Sequence, residues 1–435
     1  MKFHIITLGC PKNVVDSEMM AQLLRQEGHT LVEEREEADL LILNTCAFIE
    51  AARQEAYEML EELAANKKHS QKLIAAGCLP QRYEGEVLRR IPGVDAIIGT
   101  RSWPEITSLV RDLERQHENI DYVRQKGNLV ASVRRHAVTG GTAYLKIADG
   151  CDAPCAFCAI PLIKGPQRSK PEADILGEAR ELVAEGVREI ILIAQDTTAY
   201  GRDRDDGSTL PSLLRSITKE VAQLDWLRIL YAYPQHVSEE LIRTMAELNP
   251  VCHYLDIPLQ HGHPDVLRRM HRSPDMDGIY DMVASLREAM PDIALRSTFI
   301  VGYPGETEEE FETLLDVMED LAFDHVGIFA YCPEEGTLAA RLPDRVSRQA
   351  IAERYERAML LQQEISLARN QEQVGRSLPI LIDGAGDGIS VGRSYRHAPE
   401  IDGMVLLPGE FPNGDFVEAE IVQAREYDLI GEALT

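Results

Sequence analysis

Gly150-Cys151-Asp152-Ala153-Pro154-Cys155-Ala156-Phe157-Cys158 places three cysteines at C-x3-C-x2-C spacing near the first third of a 435-residue chain. Soft thiolates this close together suit zinc or an iron–sulfur cluster. Structural zinc takes four ligands, usually as two pairs, and a four-iron four-sulfur cluster normally takes four thiolates. Here there are three: His136 lies upstream and the next cysteine is Cys252. Three thiolates leave one iron open to a substrate or cofactor. A zinc loop or chance clustering are the alternatives. The spacing, and the apolar strand expected over residues 144–148 just before it, favour the cluster.

The remaining composition bounds the chain's class. Eight cysteines in 435 residues are too few for a disulfide framework. Met1-Lys2-Phe3-His4 opens straight into a strand-like run, so we expect no signal peptide. No apolar segment approaches bilayer length, so we expect a soluble cytoplasmic protein, with no membrane partner, in a compartment that keeps thiols reduced. The length suggests about three domains, and 44% hydrophobic residues suffice for their cores. A formal net charge of −27 argues against broad nucleic-acid binding, which needs cations on phosphate. It would favour a basic protein partner, or serve only solubility.

Outward from the motif, three segments differ in pattern. Over residues 1–120, apolar strands at 3–8, 40–43, 73–76 and 97–99 alternate with helical stretches. Asp16 is expected to cap a helix ending near Glu27, with Gly28 as its stop, and a second helix covers about 50–65. This alternation predicts a doubly wound α/β sheet. Cys10, Cys46 and Cys78 each follow the C-terminal end of a strand, at gaps of 36 and 32 residues (46−10 and 78−46). Loops after parallel strands gather on one edge of such a sheet, so these cysteines should converge into a second three-thiolate site. Three unrelated buried thiols are the alternative.

Residues 137–368 show six apolar strands, at 144–148, 190–194, 227–231, 254–257, 293–301 and 325–330, separated by helices. They predict a partial (β/α)6 barrel whose active face lies at the C-terminal strand ends, where the Cys151 loop sits. A charged helix over about 347–374 closes the segment. Residues 370–435 hold five short strands between Gly, Asp and Asn turns, which predicts a small five-stranded β-barrel of oligonucleotide-binding type. Twelve acids against four bases leave it at −8.

The order of these parts resembles the radical S-adenosylmethionine (radical SAM) methylthiotransferases, which join an N-terminal three-cysteine domain, a radical SAM domain and a C-terminal TRAM domain. The resemblance spans essentially the whole chain. Its finer motifs are Gly9-Cys10-Pro11-Lys12-Asn13-Val14-Val15-Asp16-Ser17-Glu18, Asp149-Gly150-Cys151, Ile193-Ala194-Gln195-Asp196-Thr197-Thr198, Leu230-Tyr231-Ala232-Tyr233-Pro234 and Asp256-Ile257-Pro258-Leu259-Gln260-His261. They point to the branch that modifies ribosomal protein S-12. The tRNA-modifying branch tends to show Gln-Met-Asn where this chain has Pro11-Lys12-Asn13. Ser169-Lys170 stands where Ser-Arg is more usual.

The resemblance implies two 4Fe-4S clusters and SAM as cofactors. Cys151, Cys155 and Cys158 would hold the cluster that cleaves SAM to a 5′-deoxyadenosyl radical. Phe157 would pack beside the adenine. Gln195 and Asp196 would hold SAM's polar groups, and Gly302, Gly305 and Glu306 would form the adenine-contact segment. Cys10, Cys46 and Cys78 would hold a second cluster carrying the sulfur, which one SAM methylates before a second SAM supplies the radical. The product would be a methylthio group on the β-carbon of an aspartate in protein S-12. An external electron donor and a sulfur source would be further partners, with no tRNA expected. Lys12 and Asn13 would tune the second cluster or be solvated loop residues. Cys252 and Cys332 are read as structural thiols. His261, His263 and His271 lack cysteine or carboxylate partners in register and are read as loop or core residues. Two other functions stay open: a tRNA methylthiotransferase of the same chemistry, and a non-enzymatic two-cluster electron carrier or sensor. The acidic barrel weighs against the first, and open irons weigh against the second.

Overall fold

The computed structural model describes residues 1–115, 120–123, 133, 135 and 140–434. His136 and the boundary expected at residue 137 lie outside the described residues. The N-terminal segment is a six-stranded parallel sheet built from β1 (Lys2–Thr7), β2 (Thr30–Leu31), β3 (Leu40–Thr45), β4 (Lys72–Gly77), β5 (Ala96–Gly99) and β6 (Ile120–Tyr122), in the order β2-β1-β3-β4-β5-β6. Every residue of β3 is buried, as the continuous apolar run of a two-sided parallel strand requires. Helices α1 (Pro11–Gln26), α2 (Glu50–Asn66), α3 (Cys78–Arg90) and α4 (Ile106–Arg115) connect the strands.

One sequence expectation fails here. The first helix is not capped by Asp16. It begins at Pro11 with Cys10 at its N-cap, because proline at the first helical position lacks only an N–H that would go unpaired anyway. Asp16 therefore lies inside the helix, buried. The expected stop holds: Gly28 takes φ +85° just past the end.

The central segment is a second six-stranded parallel sheet. Its strands are β7 (Thr142–Lys146), β10 (Glu189–Ile193), β11 (Trp226–Ile229), β12 (Val251–Asp256), β13 (Ala294–Val301) and β14 (His325–Ala330), neighbours in that order. Between β7 and β10 a short ribbon, β8 (Ala148–Asp149) with β9 (Arg168–Ser169), brackets the cysteine loop and the one-turn helix α5 (Ile160–Ile163). Helices α6 (Glu172–Ala184), α7 (Leu210–Glu220), α8 (Glu239–Glu247), α9 (Pro264–Arg269), α10 (Met276–Ala289) and α11 (Glu308–Leu321) join the strands, and α12 (Arg348–Gln371), capped by Ser347, closes the segment. Their apolar faces and the sheet form one continuous core.

The C-terminal segment is a closed five-stranded barrel of β15 (Ser377–Gly386), β16 (Ile389–Arg393), β17 (Val405–Pro408), β18 (Phe416–Ala424) and β19 (Leu429–Ala433), in the order β15-β16-β17-β19-β18. The loop between β16 and β17 packs across the N-terminal ends of the central strands. Arg393 pairs with Glu189 at 2.8 Å, Arg396 with Asp324, and Asp402 accepts from Tyr254 at 2.6 Å. The small barrel thus plugs the end of the sheet opposite the cysteine loop.

Candidate active site

The three cysteines of the Cys151 loop stand at the C-terminal end of β7, held by backbone. Gly150 takes φ +74°, and a Cβ there would lie 2.1 Å from the Pro166 carbonyl oxygen. Only glycine lets the loop fold this tightly onto residues 165–166, where the Cys151 N–H donates to the Gly165 carbonyl at 3.1 Å. The Ala153 N–H points at the Cys151 Sγ (3.4 Å) and the Ile160 N–H at the Cys158 Sγ (3.5 Å). Arg272 Nη1 lies 3.7 Å from the Cys155 Sγ, and its guanidinium stacks 4.3 Å from the Tyr233 ring centroid. Burial pushes the Cys151 thiol up to about 11 and that of Cys158 to about 12. Half-buried thiols with donors already aimed at sulfur fit a cationic iron–sulfur group, which would hold them as thiolates.

Around this loop the residues expected to meet SAM fall on the same face. Phe157 packs with Ile300 and Tyr331 against Ala156, Val266, Met270 and Tyr303. Gln195 is half-buried. Asp196 is buried, and both its oxygens are engaged: Oδ1 accepts from Thr198 Oγ1 and the Ala199 N–H, and Oδ2 pairs with His236 Nδ1 at 2.8 Å. Glu306 accepts from the Gly302 and Tyr303 N–H groups and pairs with Arg354 at 2.8 Å. Its carboxylate shapes the 301–306 turn, so the turn offers a partner its backbone. Gly302, at φ +76°, has Ile351 where a Cβ would go, at 2.3 Å. Gly305 takes φ +76° and its N–H donates to the Asp344 carbonyl.

The second triad comes together because β1, β3 and β4 are neighbours. Cys10 caps α1, Cys46 follows β3, and Cys78 starts α3 directly after β4. A Cβ on Gly9 would lie 2.8 Å from Cys46 Cβ and 3.2 Å from its Sγ, so glycine permits the Cys10 loop to close on Cys46. Burial raises the thiols of Cys46 and Cys78, and the neighbouring cysteines add to it. Asn13 is the hub: Nδ2 donates to the Leu8 carbonyl (2.8 Å) and the Thr45 carbonyl (3.1 Å), and Cys78 Sγ lies 4.0 Å from its Oδ1. Lys12 is buried, and its Nζ sits 3.0 Å from the Tyr231 ring centroid, a cation–π contact from the α/β segment into the central one. Burial lowers its ammonium to about 8. Neither residue is the solvated alternative weighed from sequence.

One functional neighbour, Arg272, gives no sequence signal. Within the motif at 230–234, Tyr231 takes φ +64° just past β11, and its N–H donates to Asp256 Oδ2 at 3.1 Å. The histidines need correcting. His261 Nε2 lies 3.5 Å from Glu306, and His263 Nδ1 3.9 Å from Glu310, so carboxylates do face them, but Arg354 and Arg269 hold those carboxylates. Cys252 is buried in β12, and Cys332 is half-buried beside Glu334. Lys170 pairs with Glu178 at 2.8 Å, buried.

Comparison with known proteins agrees with this anatomy. Residues 2–99 match the Uncharacterized protein family UPF0004, 145–318 the Radical SAM superfamily and 374–434 the TRAM domain. The fold resembles that of the radical SAM methyltransferase TsrM from Kitasatospora setae, at a TM-score of 0.60 and 13% identity over 90% of this chain and 80% of that one. Fold and site thus define a radical SAM enzyme, with a 4Fe-4S cluster and SAM as the cofactors of that domain. Proteins named "Ribosomal protein uS12 methylthiotransferase RimO" match along their full length: that of Chloroflexus aurantiacus is 49% identical over 100% of both chains, and that of Geobacter sulfurreducens 41% identical over 100% of this chain and 99% of its own. The chain belongs to the RimO family of radical SAM methylthiotransferases.

Proposed function

We propose that this enzyme places a methylthio group on the β-carbon of an aspartate in ribosomal protein uS12 of the small subunit. It would consume two SAM molecules, one to methylate sulfur and one to give the 5′-deoxyadenosyl radical. The observation that carries this reading is the Lys12–Tyr231 contact at 3.0 Å. It sets the loop of the second triad against the C-terminal strand ends that also carry the first, as transfer of sulfur to one substrate carbon radical would require.

In this reading residues 1–120 carry the sulfur on Cys10, Cys46 and Cys78, residues 137–368 generate the radical, and residues 370–435 receive the substrate. The cluster on Cys151, Cys155 and Cys158, when bound, supplies the electron that breaks the sulfonium C–S bond. The protein does the rest. Arg272 and the Ala153 and Ile160 N–H groups stabilise thiolate charge. Phe157, with Tyr303 and Tyr331, walls the adenine side and keeps water out. Glu306 holds the turn of Gly302 and Gly305, and Gln195 and Asp196 line the strand end beside Cys151.

The C-terminal barrel supports a basic protein over RNA. Of its arginines, Arg393 and Arg396 are buried in ion pairs, which leaves Arg376 and Arg425 exposed against Glu418, Glu420, Glu426 and Glu432. Among the described residues no helix is long and apolar enough to cross a membrane, and the proposed substrate places the work in the cytoplasm, with an external electron donor and sulfur source. The test is mass spectrometry of uS12 after incubation with reconstituted enzyme, SAM, sulfide and a reductant. A methylthio gain on one aspartate is expected. Unmodified uS12 beside methylthiolated tRNA would transfer the reading to the nucleic-acid branch.

A further inference from the structure

The chemistry above leaves unused a closed ring of four charges between the two triads. Asp16, Lys146, Asp149 and Lys164 have side chains only 1–3% exposed. Lys146 Nζ bonds Asp16 Oδ1 and lies 3.1 Å from Asp149 Oδ2. Lys164 Nζ lies 3.3 Å from Asp16 Oδ2 and 3.4 Å from Asp149. Signs alternate around the ring and its net charge is zero. Three members bracket the Cys151 loop: Lys146 ends β7, Asp149 precedes Cys151 by two residues, and Lys164 follows Cys158 by six. The fourth, Asp16, belongs to the helix that Cys10 caps. A second tie runs beside it, from Arg101 Nε to the Ile163 carbonyl at 2.8 Å.

We infer that Asp16 and this ring are a positioning device that holds the sulfur-bearing triad at one separation and orientation from the radical-generating triad. The inference rests on the reading that both triads carry clusters. A buried ion pair is a poor source of net stability, because desolvation offsets its Coulombic gain. What it supplies is intolerance of displacement. An apolar interface can slide by an ångström and stay buried. If α1 slid past the Cys151 loop, two ammonium groups would face one carboxylate out of reach of water. Asp16 is the one ring member from the α/β segment, so the ring's tie between segments runs through it, beside the Lys12–Tyr231, Arg101–Ile163 and Arg82–Glu334 contacts. Transfer to a short-lived carbon radical demands such register, since a misplacement of about 1 Å can cost on the order of 10²-fold in rate.

The experiment uses the full-length enzyme with both clusters reconstituted and reduced, and reads their mutual dipolar interaction by pulsed EPR. The wild type should give a single narrow distance distribution. Two variants are compared. Asp16→Asn leaves both lysines on Asp149. Asp16→Asn/Lys146→Met keeps the remaining Asp149–Lys164 pair in charge balance, so it retains the fold while losing the tie. Both should broaden the distribution at least about twofold, and the ratio of 5′-deoxyadenosine to methylthiolated uS12 should rise on the order of 10²-fold. A narrow distribution and unchanged ratio in the balanced variant, even with a lowered melting temperature, would make the ring a mere fold support and overturn the inference. A wild type that binds iron in one triad only would overturn the two-cluster reading instead.

Discussion

At the scale of single residues, sulfur is the limiting resource of this chain, and its eight cysteines divide by what surrounds them. Cys252 is sealed inside a strand and faces the core. The two triads instead meet backbone donors, an arginine and an asparagine hub. If each triad holds its own cluster, their losses must be separable. Changing Cys151, Cys155 and Cys158 together to Ala should remove about half the bound iron and all SAM cleavage, since the cluster needs its thiolates. Iron content that does not move would sink that ligand assignment. Changing Cys10, Cys46 and Cys78 to Ala should leave 5′-deoxyadenosine formation measurable, as the other triad is untouched, while methylthiolated product disappears. Undiminished product from this variant would reduce those cysteines to packing.

At the scale of elements, two glycines allow close approaches that nothing larger permits. Gly150 lets β8 turn into the cysteine loop against residues 165–166. Gly302 lets the end of β13 meet Ile351 of α12, at 2.3 Å from an added Cβ. The Gly302→Ala change should therefore cost stability twice over, through the clash and through φ. Adding Ile351→Ala should recover the clash portion, while about 1–2 kcal/mol from the left-handed backbone persists. Urea denaturation of the single and double variants separates the two. A double variant no more stable than Gly302→Ala would show that Ile351 is not the obstacle. The start of α1 belongs at this scale as well. Asp16 is a residue type that caps helices, yet Pro11 begins the helix earlier and frees the carboxylate for a partner in another segment.

At the scale of the whole molecule, the C-terminal barrel is joined to the central sheet by buried charge. Glu189 sits between Arg228 (2.7 Å) and Arg393 (2.8 Å) with none of its side chain exposed. Burial alone would raise its carboxyl, but the two guanidinium groups outweigh that and hold it below the usual 4.5. A depressed folded-state value contributes stability that is complete above pH 4.5 and lost as pH falls through the lowered value. Acid should therefore loosen the barrel from the sheet below pH 4.5, detectable as hydrogen exchange in residues 393–402 before the core strands respond. Glu189→Gln should cost about 3–5 kcal/mol at neutral pH by leaving two buried guanidinium groups short of a carboxylate. Equal exchange across loop and core during acidification would contradict this. The barrel packs at the N-terminal strand ends and the triads lie at the other, roughly 15–20 Å away, about one strand length, so if the barrel receives uS12, docking and chemistry are separated by that span. Reversing Glu418, Glu420 and Glu426 to Lys should weaken uS12 binding. In the unaltered enzyme that binding should fall as salt rises, because exposed charges are screened within about 10 Å at 0.1 M ionic strength. A titration at two salt concentrations reads both, and salt-independent binding would remove the acidic face from recognition.

Local spacing settles the C-x3-C-x2-C loop, the alternation of strand and helix, and the five short strands of the small barrel. It also predicts where Cys10, Cys46 and Cys78 meet, since cysteines that each follow a parallel strand must share an edge once those strands are neighbours. Tertiary structure alone decided which side chains face one another across segments. Lys146 and Asp16 are 130 residues apart, Lys164 and Asp16 are 148, and Arg393 and Glu189 are 204. No periodicity within an element encodes such pairs, because they depend on how whole segments dock. For the same reason nothing in the sequence marks Arg272 as a neighbour of Cys155, or shows the carboxylates that α11 and its preceding turn bring to His261 and His263. Local chemistry is written in short spacings, whereas the register between the two triads exists only once the segments have packed.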